Sequence, residues 1–171
     1  MYNESEVMAK IDELGKKITE DYQGKNLLVV GILKGAFIFM ADLVRKIDLP
    51  LEIDFMSVSS YGSSTVSSGE VKIVKDLDNS IKDKDVLIIE DIVDTGLTLK
   101  YIKEILNKRE PSSVKVCCLL DKPSRRTANI VPDYVGFSIP DEFIVGYGLD
   151  YAEMYRNYPA VCILKPSAYE K

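Results

Sequence analysis

The chain of 171 residues has the length of one domain, and a domain of this size buries roughly 70% of the surface that its unfolded chain exposes. Hydrophobic residues make up 46% and charged residues 29% of the sequence, and no apolar run reaches the roughly 18 residues of a membrane span, which argues against a membrane protein. The net charge of −5 argues against binding a long polyanion through a broad positive surface, although small phosphorylated ligands remain compatible with it.

Two further features of the composition limit which residues could act as an acid or base and indicate the cellular compartment. Histidine is absent, so a general acid or base near pH 7 must be a carboxylate, Lys, Tyr or Cys. The cysteines Cys117, Cys118 and Cys162 are odd in number and form no C-x-x-C pair, which indicates reduced structural thiols. Charges near the N-terminus interrupt any secretory signal, so we expect a soluble, cytoplasmic protein without membrane or nucleic-acid partners.

The first half of the chain alternates helical and strand-like patterns. In chain order the predicted elements are an amphipathic helix over 5–22, a buried strand over 26–33, a tight turn and a helix over 34–50 ended by Pro50, a strand over 51–61, a Ser- and Gly-rich loop over 59–69, and a returning strand over 70–77. The loop is typical either of a flexible hairpin connection or of a mobile lid.

The second half continues the alternation. The predicted elements are a strand over 86–93, a helix over 96–111, an apolar strand over 113–122, short strands within 134–140, 143–151 and 160–166, and a possible helical turn over 151–157. This order predicts a single α/β domain over 1–171, with a largely parallel central sheet flanked by helices. Ligands are expected beyond the carboxyl ends of its strands.

One such end carries an unusual density of charge. The segment "VLIIEDIVDTGLTL" (86–99) runs from a strand into Glu90, Asp91 and Asp94, followed by a turn that contains Gly96. Backbone N–H groups at this turn and helix start can bind a phosphate, and the absence of Lys argues against a Walker loop. Carboxylates accept hydrogen bonds from sugar hydroxyls and bind Mg²⁺. The segment therefore predicts a sugar-phosphate site.

Two structural points remain open in this segment. Asp94 or Thr95 could instead be only the N-cap of the following helix, although three clustered carboxylates repel one another unless something positive neutralises them. Glu90 and Asp91 are adjacent on a strand and should point to opposite faces. Both can reach one sugar only if the strand ends or twists there.

The same segment resembles the phosphoribosyl-pyrophosphate motif of type I phosphoribosyltransferases, and the rest of the chain is similar to the hypoxanthine-guanine branch. The matching motifs, in family order, are "GILKGAF" (31–37), "SSYG" (59–62), "LLDKPSRR" (119–126), "DYVGFSIPDEFIVGYGLDY" (133–151) and "YRN" (155–157). The resemblance covers nearly the whole chain. It implies the fold of that family, with a small hood formed by terminal segments.

The resemblance implies a role for each matching residue of the sugar-phosphate segment. Glu90 and Asp91 would meet the ribose hydroxyls and their Mg²⁺ shell, and Asp94 would be the general base near N7 of a purine. The 5′-phosphate would bind the turn formed by Asp94, Thr95, Gly96, Leu97 and Thr98. The position of Leu97 is occupied by Lys or Arg in some members of the family. We expect this difference to affect phosphate binding little, because the backbone of the turn binds the phosphate.

For the base, the resemblance implies that Lys122 donates to the purine O6, that Phe143 stacks on the ring and that the backbone of Ile144 contacts its polar edge. Lys122 could alternatively be a solvated surface lysine, but its position just after a buried strand favours the site; without the resemblance, Phe143 would be interpreted as a core residue. Asp150, also at the purine site, would contact a second Mg²⁺.

For the pyrophosphate, the resemblance implies a loop of Leu33, Lys34 and Gly35, with a cis peptide between the first two, together with Arg156. Ser60 and Tyr61 would begin a lid that closes during turnover. The implied reaction is Mg²⁺-dependent transfer of 5-phosphoribosyl to N9 of hypoxanthine or guanine, by a homodimer or homotetramer.

Two other functional classes are compatible with parts of the pattern. Some proteins of this fold are regulators that bind RNA, but such a protein should have a basic face, which the acidic balance disfavours. A receiver domain also has acids after an apolar strand. It would have them near its first strand rather than in the middle of the chain beside a phosphate turn.

Overall fold

A computed structural model describes residues 1–60 and 71–169 of the protein. The strands of its central sheet are β1 (Leu27–Leu33), β2 (Glu52–Ser60), β3 (Val71–Lys75), β4 (Asp85–Val93), β5 (Ser113–Asp121) and β6 (Tyr134–Ser138). They lie in the order β3-β2-β1-β4-β5-β6, and every neighbouring pair is parallel except β2 with β3. The predicted α/β architecture with a largely parallel sheet is confirmed.

Three α-helices, α1 (Glu4–Asp21), α2 (Phe37–Val44) and α3 (Leu97–Asn107), cover the two faces of the sheet. The buried strand β4 shows the division clearly. Its Leu87 and Ile89 pack with α1 and α2, whereas Val86 and Ile88 pack with α3. Because both faces of the strand are covered, its sequence is continuously apolar rather than alternating. Within the described part of the chain, no helix is both long enough and apolar enough to span a bilayer.

The predicted end of α2 at Pro50 is wrong. The helix ends at Val44, and the next backbone N–H groups, of Lys46 and Ile47, donate to the carbonyls of Leu43 and Val44 in the tighter i→i−3 pattern. The side chain of Ile47 is buried in the core. Burial of this apolar side chain, rather than proline sterics, accompanies the change of direction.

The predicted helical turn over 151–157 is also wrong. Tyr151 and Met154 form an antiparallel bridge around a two-residue turn, and Ala152 and Glu153 have positive φ values of 49° and 65°. Left-handed residues of this kind cannot continue a right-handed helix, but they match the tight turns that join antiparallel segments.

The two terminal segments meet in a small additional layer. Its strands β7 (Ile144–Val145) and β8 (Cys162–Ile163) are antiparallel, and Tyr2 and Val161 exchange two backbone hydrogen bonds of 3.0 Å. The ring of Tyr2 stacks on Phe137 of β6 with centroids 3.9 Å apart. This layer corresponds to the predicted hood. Residues of its first strand and of the end of β4 line one cavity.

Candidate functional site

Two adjoining cavities lie at the carboxyl ends of the parallel strands. The larger cavity, of about 530 Å³, lies between the end of β4 and the hood and is lined by residues such as Asp91, Lys122 and Phe143. The smaller cavity, of about 130 Å³, lies between the end of β4 and the start of α3. Ile92 and Asp94 line both cavities, which makes them neighbours. Their position beside β1 and β4, where the direction of strand addition reverses, is the usual ligand position in open α/β sheets.

Glu90 and Asp91 line different cavities. Glu90 lines the smaller one, and Asp91 lines the larger one. The alternation of β4 then breaks, because Ile92 packs with the cluster on the α1 and α2 face and Val93 with the cluster on the α3 face. The alternation thus holds through Glu90 and Asp91 and breaks directly after them, so the two carboxylates lie in adjoining cavities that meet at Ile92 and Asp94.

Both carboxylates are poorly solvated. Burial, together with the neighbouring Asp91, raises the pKa of Glu90 well above its usual range. Burial also raises the pKa of Asp91 to about 6, while backbone N–H groups and Arg156 act in the opposite direction. A positively charged or hydrogen-bond-donating ligand would favour the ionised forms.

The turn after β4 leaves the start of α3 open. The N-cap of α3 is Gly96, whose φ of 80° is left-handed and which has no side chain to cap the helix. The interpretation of Asp94 or Thr95 as the N-cap is therefore wrong. Thr95 and Thr98 line the smaller cavity with Gly96, whereas the side chain of Leu97 is exposed. Unsatisfied N–H groups at such a helix start attract anions.

Arg126 holds this turn from behind. Its Nε donates to the carbonyl of Asp94 at 3.0 Å, its Nη1 to the carbonyl of Ile130 at 2.8 Å, and its Nη2 to the Asp121 carboxylate and more weakly to the Val93 carbonyl. The N–H groups of residues 127 and 128 both donate to the carbonyl of residue 95. These contacts engage the carbonyls of the turn, whereas the N–H of Leu97 makes only a long hydrogen bond of 3.5 Å to Thr95 Oγ1, which a stronger acceptor could replace.

We expect Arg126→Lys to lower the free energy of unfolding by about 2–4 kcal/mol, because an ammonium keeps the charge beside Asp121 but cannot reproduce the forked set of hydrogen bonds. Denaturant unfolding measures the change. The matched control is Arg125→Lys. Because the Arg125 side chain is 49% exposed, this substitution should lower the free energy of unfolding by less than about 1 kcal/mol. Equal losses in the two variants would contradict this account of Arg126.

The larger cavity contains a row of alternating charges. Lys122 Nζ lies 3.5 Å from Asp141, Arg125 lies 3.7 Å from the same carboxylate, and Arg125 Nε donates to Asp94 Oδ1 at 3.1 Å. Lys122 is only 8% exposed, so the interpretation as an ordinary surface lysine is wrong. The buried ammonium can donate a hydrogen bond to a polar ring, and a nearby carboxylate can accept one from it.

The hood side of the larger cavity is aromatic and apolar. Phe143 is 39% exposed and lines the cavity with Ile144 and Asp150, so its interpretation as a core residue is wrong. Asp150 makes an ion pair of 2.9 Å with Arg156. Phe143, Ile144 and Asp150 are far from β4 in sequence, and they come together with Asp91 because the hood covers the end of the sheet.

The loop after β1 packs tightly against this arrangement. The peptide bond between Leu33 and Lys34 is cis, as the resemblance implies. A Cβ on Gly35 would lie 1.6 Å from the Asp91 carboxylate, and a Cβ on Gly148 would lie 2.1 Å from the carbonyl of Gly35. Lys34 Nζ reaches Glu153 of the hood at 2.9 Å. The loop, β4 and the hood are therefore in direct contact.

The remaining predicted residues are described only in part. Ser60 is the last residue of β2, and its side chain, together with Tyr61 and the rest of the loop to residue 70, lies outside the described residues. Within residues 1–60 and 71–169, no three Asp, Glu, His or Cys side chains surround a common metal position. Glu90, Asp91 and Asp150 thus do not form a single three-ligand cluster.

Sequence reasoning assigned no role to Arg125, Arg126, Asp141 or Tyr169, all of which contact the turn or line the larger cavity. For the two arginines a signal existed, since "DKPSRR" places two cations directly after a buried strand. For Tyr169 no local signal exists. Its position depends on pairing between segments of the hood.

The comparisons with known proteins agree with this geometry. Residues 1–152 match the family described as "Phosphoribosyl transferase domain". The chain is 58% identical to the hypoxanthine-guanine phosphoribosyltransferase of Bacillus subtilis (strain 168), over 99% of this chain and 94% of that protein. It is 57% identical to 26% of a longer Listeria innocua protein named bifunctional protein TilS/HprT. A crystal structure of a hypoxanthine phosphoribosyltransferase from Staphylococcus aureus superposes with a TM-score of 0.98 at 56% identity, covering 100% of this chain and 93% of that one.

Proposed function

Since the chain belongs to the phosphoribosyl transferase family and matches its hypoxanthine-guanine branch along its whole length, we propose that it transfers 5-phosphoribosyl from phosphoribosyl pyrophosphate to N9 of a 6-oxopurine. Hypoxanthine would give IMP and guanine would give GMP, with pyrophosphate as the other product. Membership of this branch makes the chain a purine-salvage transferase. The observation that most supports the detailed reaction is the pair of adjoining cavities, which share Asp94 and separate an anion-binding turn from an aromatic, base-sized space.

In this proposal the smaller cavity receives the 5′-phosphate at the N–H groups of residues 95–98. Glu90 and Asp91 accept hydrogen bonds from the ribose hydroxyls, which extend toward the larger cavity. Support comes from the left-handed Gly96, which leaves the helix start uncapped, and from Arg126, which engages the carbonyls of the turn on the opposite side.

The pyrophosphate would bind between the loop of Leu33, Lys34 and Gly35 and the side chain of Arg156, with Ser60 and Tyr61 contributing from the lid. Support comes from Arg156, whose Nη atoms donate to the hood while its buried Nε has no partner among the described residues. The charge of Arg156 also acts on Asp91, which lines the larger cavity, and a guanidinium fork suits phosphate oxygens.

Asp94 would act as the general base near N7 of the purine, since it lines both cavities and so lies where base and ribose meet. The chain offers no histidine for this task. The bond to C1 of the ribose breaks as pyrophosphate leaves, and N9 forms the new bond. A lid over the site would exclude water, which could otherwise capture the oxocarbenium-like ribose.

Lys122 and Phe143 would select the base. The ammonium donates to O6 of a 6-oxopurine and leaves the 6-amino group of adenine poorly paired, while the ring of Phe143 stacks on the purine and the backbone of Ile144 contacts its edge. Burial of Lys122 supports this assignment, because among residues 1–60 and 71–169 its only ion-pair partner is Asp141, at 3.5 Å, and a ligand oxygen would be a second partner for the desolvated charge.

We expect Lys122→Gln to lower kcat/KM for hypoxanthine by at least about tenfold, since a charged hydrogen bond is replaced by a neutral one at shorter reach. The KM for phosphoribosyl pyrophosphate should change little. Steady-state kinetics with each substrate varied in turn measures both. Unchanged hypoxanthine kinetics would remove Lys122 from the purine site.

The residues fit Mg²⁺ as the cofactor. Mg²⁺ is commonly held by one or two carboxylates together with waters and substrate oxygens. Glu90 and Asp91 offer a buried and a partly buried carboxylate whose pKa values are raised by desolvation, and a cation beside them would offset that effect. Asp150 would contact a second ion. When bound, Mg²⁺ would stabilise the charge of the leaving pyrophosphate.

The decisive experiment is an assay of the purified protein with phosphoribosyl pyrophosphate, Mg²⁺ and hypoxanthine, guanine, xanthine or adenine in turn. Nucleotide formation from hypoxanthine or guanine, lost when Mg²⁺ is chelated, is the expected result. Activity with adenine alone would overturn the base assignment. Size-exclusion chromatography with light scattering tests the further expectation, from the family resemblance, of a homodimer or homotetramer. We also propose that the enzyme is cytoplasmic, since its free thiols Cys117, Cys118 and Cys162 are typical of a reducing compartment.

A further inference from the structure

The last described residue of the chain enters the larger cavity. Residues 165–168 are exposed, whereas Tyr169 is partly buried and lines the cavity together with Phe143, Lys122 and Asp94. The chain therefore turns inward at an aromatic residue after an exposed polar segment. Such a reversal places a large apolar surface where a ligand is expected rather than in solvent.

Tyr169 makes a specific contact in the cavity. Its ring stacks on the ring of Phe143, with centroids 5.1 Å apart and an interplanar angle of 27°. Tyr151 contacts Phe143 edge-on, with centroids 5.6 Å apart and an angle of 86°. Stacked and edge-to-face arrangements are both favourable geometries for aromatic pairs. Phe143 is thus held by two tyrosines while 39% of its surface remains exposed.

The backbone fixes the tail relative to Phe143. The N–H of Leu164 donates to the carbonyl of Phe143 at 2.8 Å, and β8 pairs with β7 immediately beside that residue. A short 3₁₀ helix, Pro166–Ala168, then reverses the chain, and the N–H of Tyr169 donates to the carbonyl of Pro166 at 3.1 Å. The segment at Phe143 and β7 is thereby connected directly to the residue that stacks on Phe143.

We infer that Tyr169 is a positioning residue of the purine site, which holds the ring of Phe143 in the orientation that stacks on the base. The inference rests on the proposed function, because it takes Phe143 as the stacking residue. Without Tyr169, the one aromatic contact left to Phe143 within the described part of the chain would be the edge contact with Tyr151. The purine would then have to order the ring on binding, which costs conformational entropy.

The test compares Tyr169→Ala with Tyr169→Phe and with Ser167→Ala, an exposed position in the same tail. We expect Tyr169→Ala to raise the KM for hypoxanthine about three- to tenfold, the range given by an aromatic pair. Tyr169→Phe keeps the ring and Ser167→Ala keeps the contact, so both should stay within about twofold of the parent protein. The KM for phosphoribosyl pyrophosphate should be unchanged in all three variants.

A double-mutant cycle with Phe143→Ala distinguishes a failure of the role inferred for Tyr169 from a failure of the proposed purine site. If Tyr169 acts through Phe143, the alanine substitution at 169 should add little in the Phe143→Ala background. An unchanged KM for hypoxanthine in Tyr169→Ala would overturn the inference. A lower KM would overturn it too, because the ring would then compete with the purine. If Phe143→Ala itself left the hypoxanthine KM unchanged, the failure would lie in the proposed purine site.

Discussion

Asp94→Asn should lower kcat by about 100-fold or more, within the range of about 10²–10⁴ that a general base contributes. Asparagine has nearly the same size and keeps an oxygen that can accept from Arg125 Nε, which lies 3.1 Å from Asp94 Oδ1. The backbone of the turn is unchanged by the substitution. The KM for phosphoribosyl pyrophosphate should therefore remain within a few-fold of the parent value, while turnover with hypoxanthine falls.

The matched control is Asp141→Asn. Asp141 also lines the larger cavity and also pairs with Arg125, so this variant removes the same charge from the same surroundings. Its kcat should fall by less than about tenfold because no proton transfer is lost. A similar fall in the two variants would mean that the charge of the cavity, rather than a base at position 94, supports turnover. Unchanged turnover in Asp94→Asn would discard the role of Asp94.

Gly148→Ala should destabilise the protein by more than about 3 kcal/mol, because two unfavourable effects coincide at this position. The φ of Gly148 is 100°, a region that L-residues with a side chain rarely adopt, and its added Cβ would lie 2.1 Å from the carbonyl of Gly35. Neither backbone can move without separating the hood from the loop after β1. Activity should therefore fall together with stability.

Gly24→Ala is the matched control for Gly148→Ala. Gly24 also has a positive φ, of 74°, but nothing lies within 4 Å of the position that its Cβ would occupy. Gly24→Ala should lower the free energy of unfolding by only about 1–2 kcal/mol, the effect of a positive φ on a residue with a side chain. Its kcat and both KM values should be unchanged. Urea unfolding and steady-state kinetics on the two variants separate the effects. If Gly148→Ala and Gly24→Ala lowered the free energy of unfolding equally, the close approach of Gly148 to Gly35 would not constrain the fold.

The part of the site that sequence reasoning predicted best is local. The strand, turn and helix that carry Glu90, Asp91 and Asp94 lie within one short segment, and each element has its own signal in apolar runs, glycine and helical spacing. The charges at the end of a buried strand were enough to predict a sugar-phosphate site. The purine and the separate role of Asp94 came from the family resemblance.

What the sequence left out depends on contacts between distant segments. The approach of Gly35 to Asp91 on one side and to Gly148 on the other joins parts of the chain that no local pattern relates. The left-handed backbone at Ala152 and Glu153 is similar, since neither residue type signals a positive φ. The end of α2 is a third example. The helix ends at Val44, well before Pro50, and the buried Ile47 packs into the core beyond that end.

The pairing of Tyr2 with Val161 affects how the protein should be handled in the laboratory. Tyr2 is bonded in both directions to the segment just before β8, and β8 pairs with the strand that follows Phe143. An affinity tag fused to Met1 would therefore be attached next to the hood. Kinetic comparisons among variants should use protein from which such a tag has been cleaved.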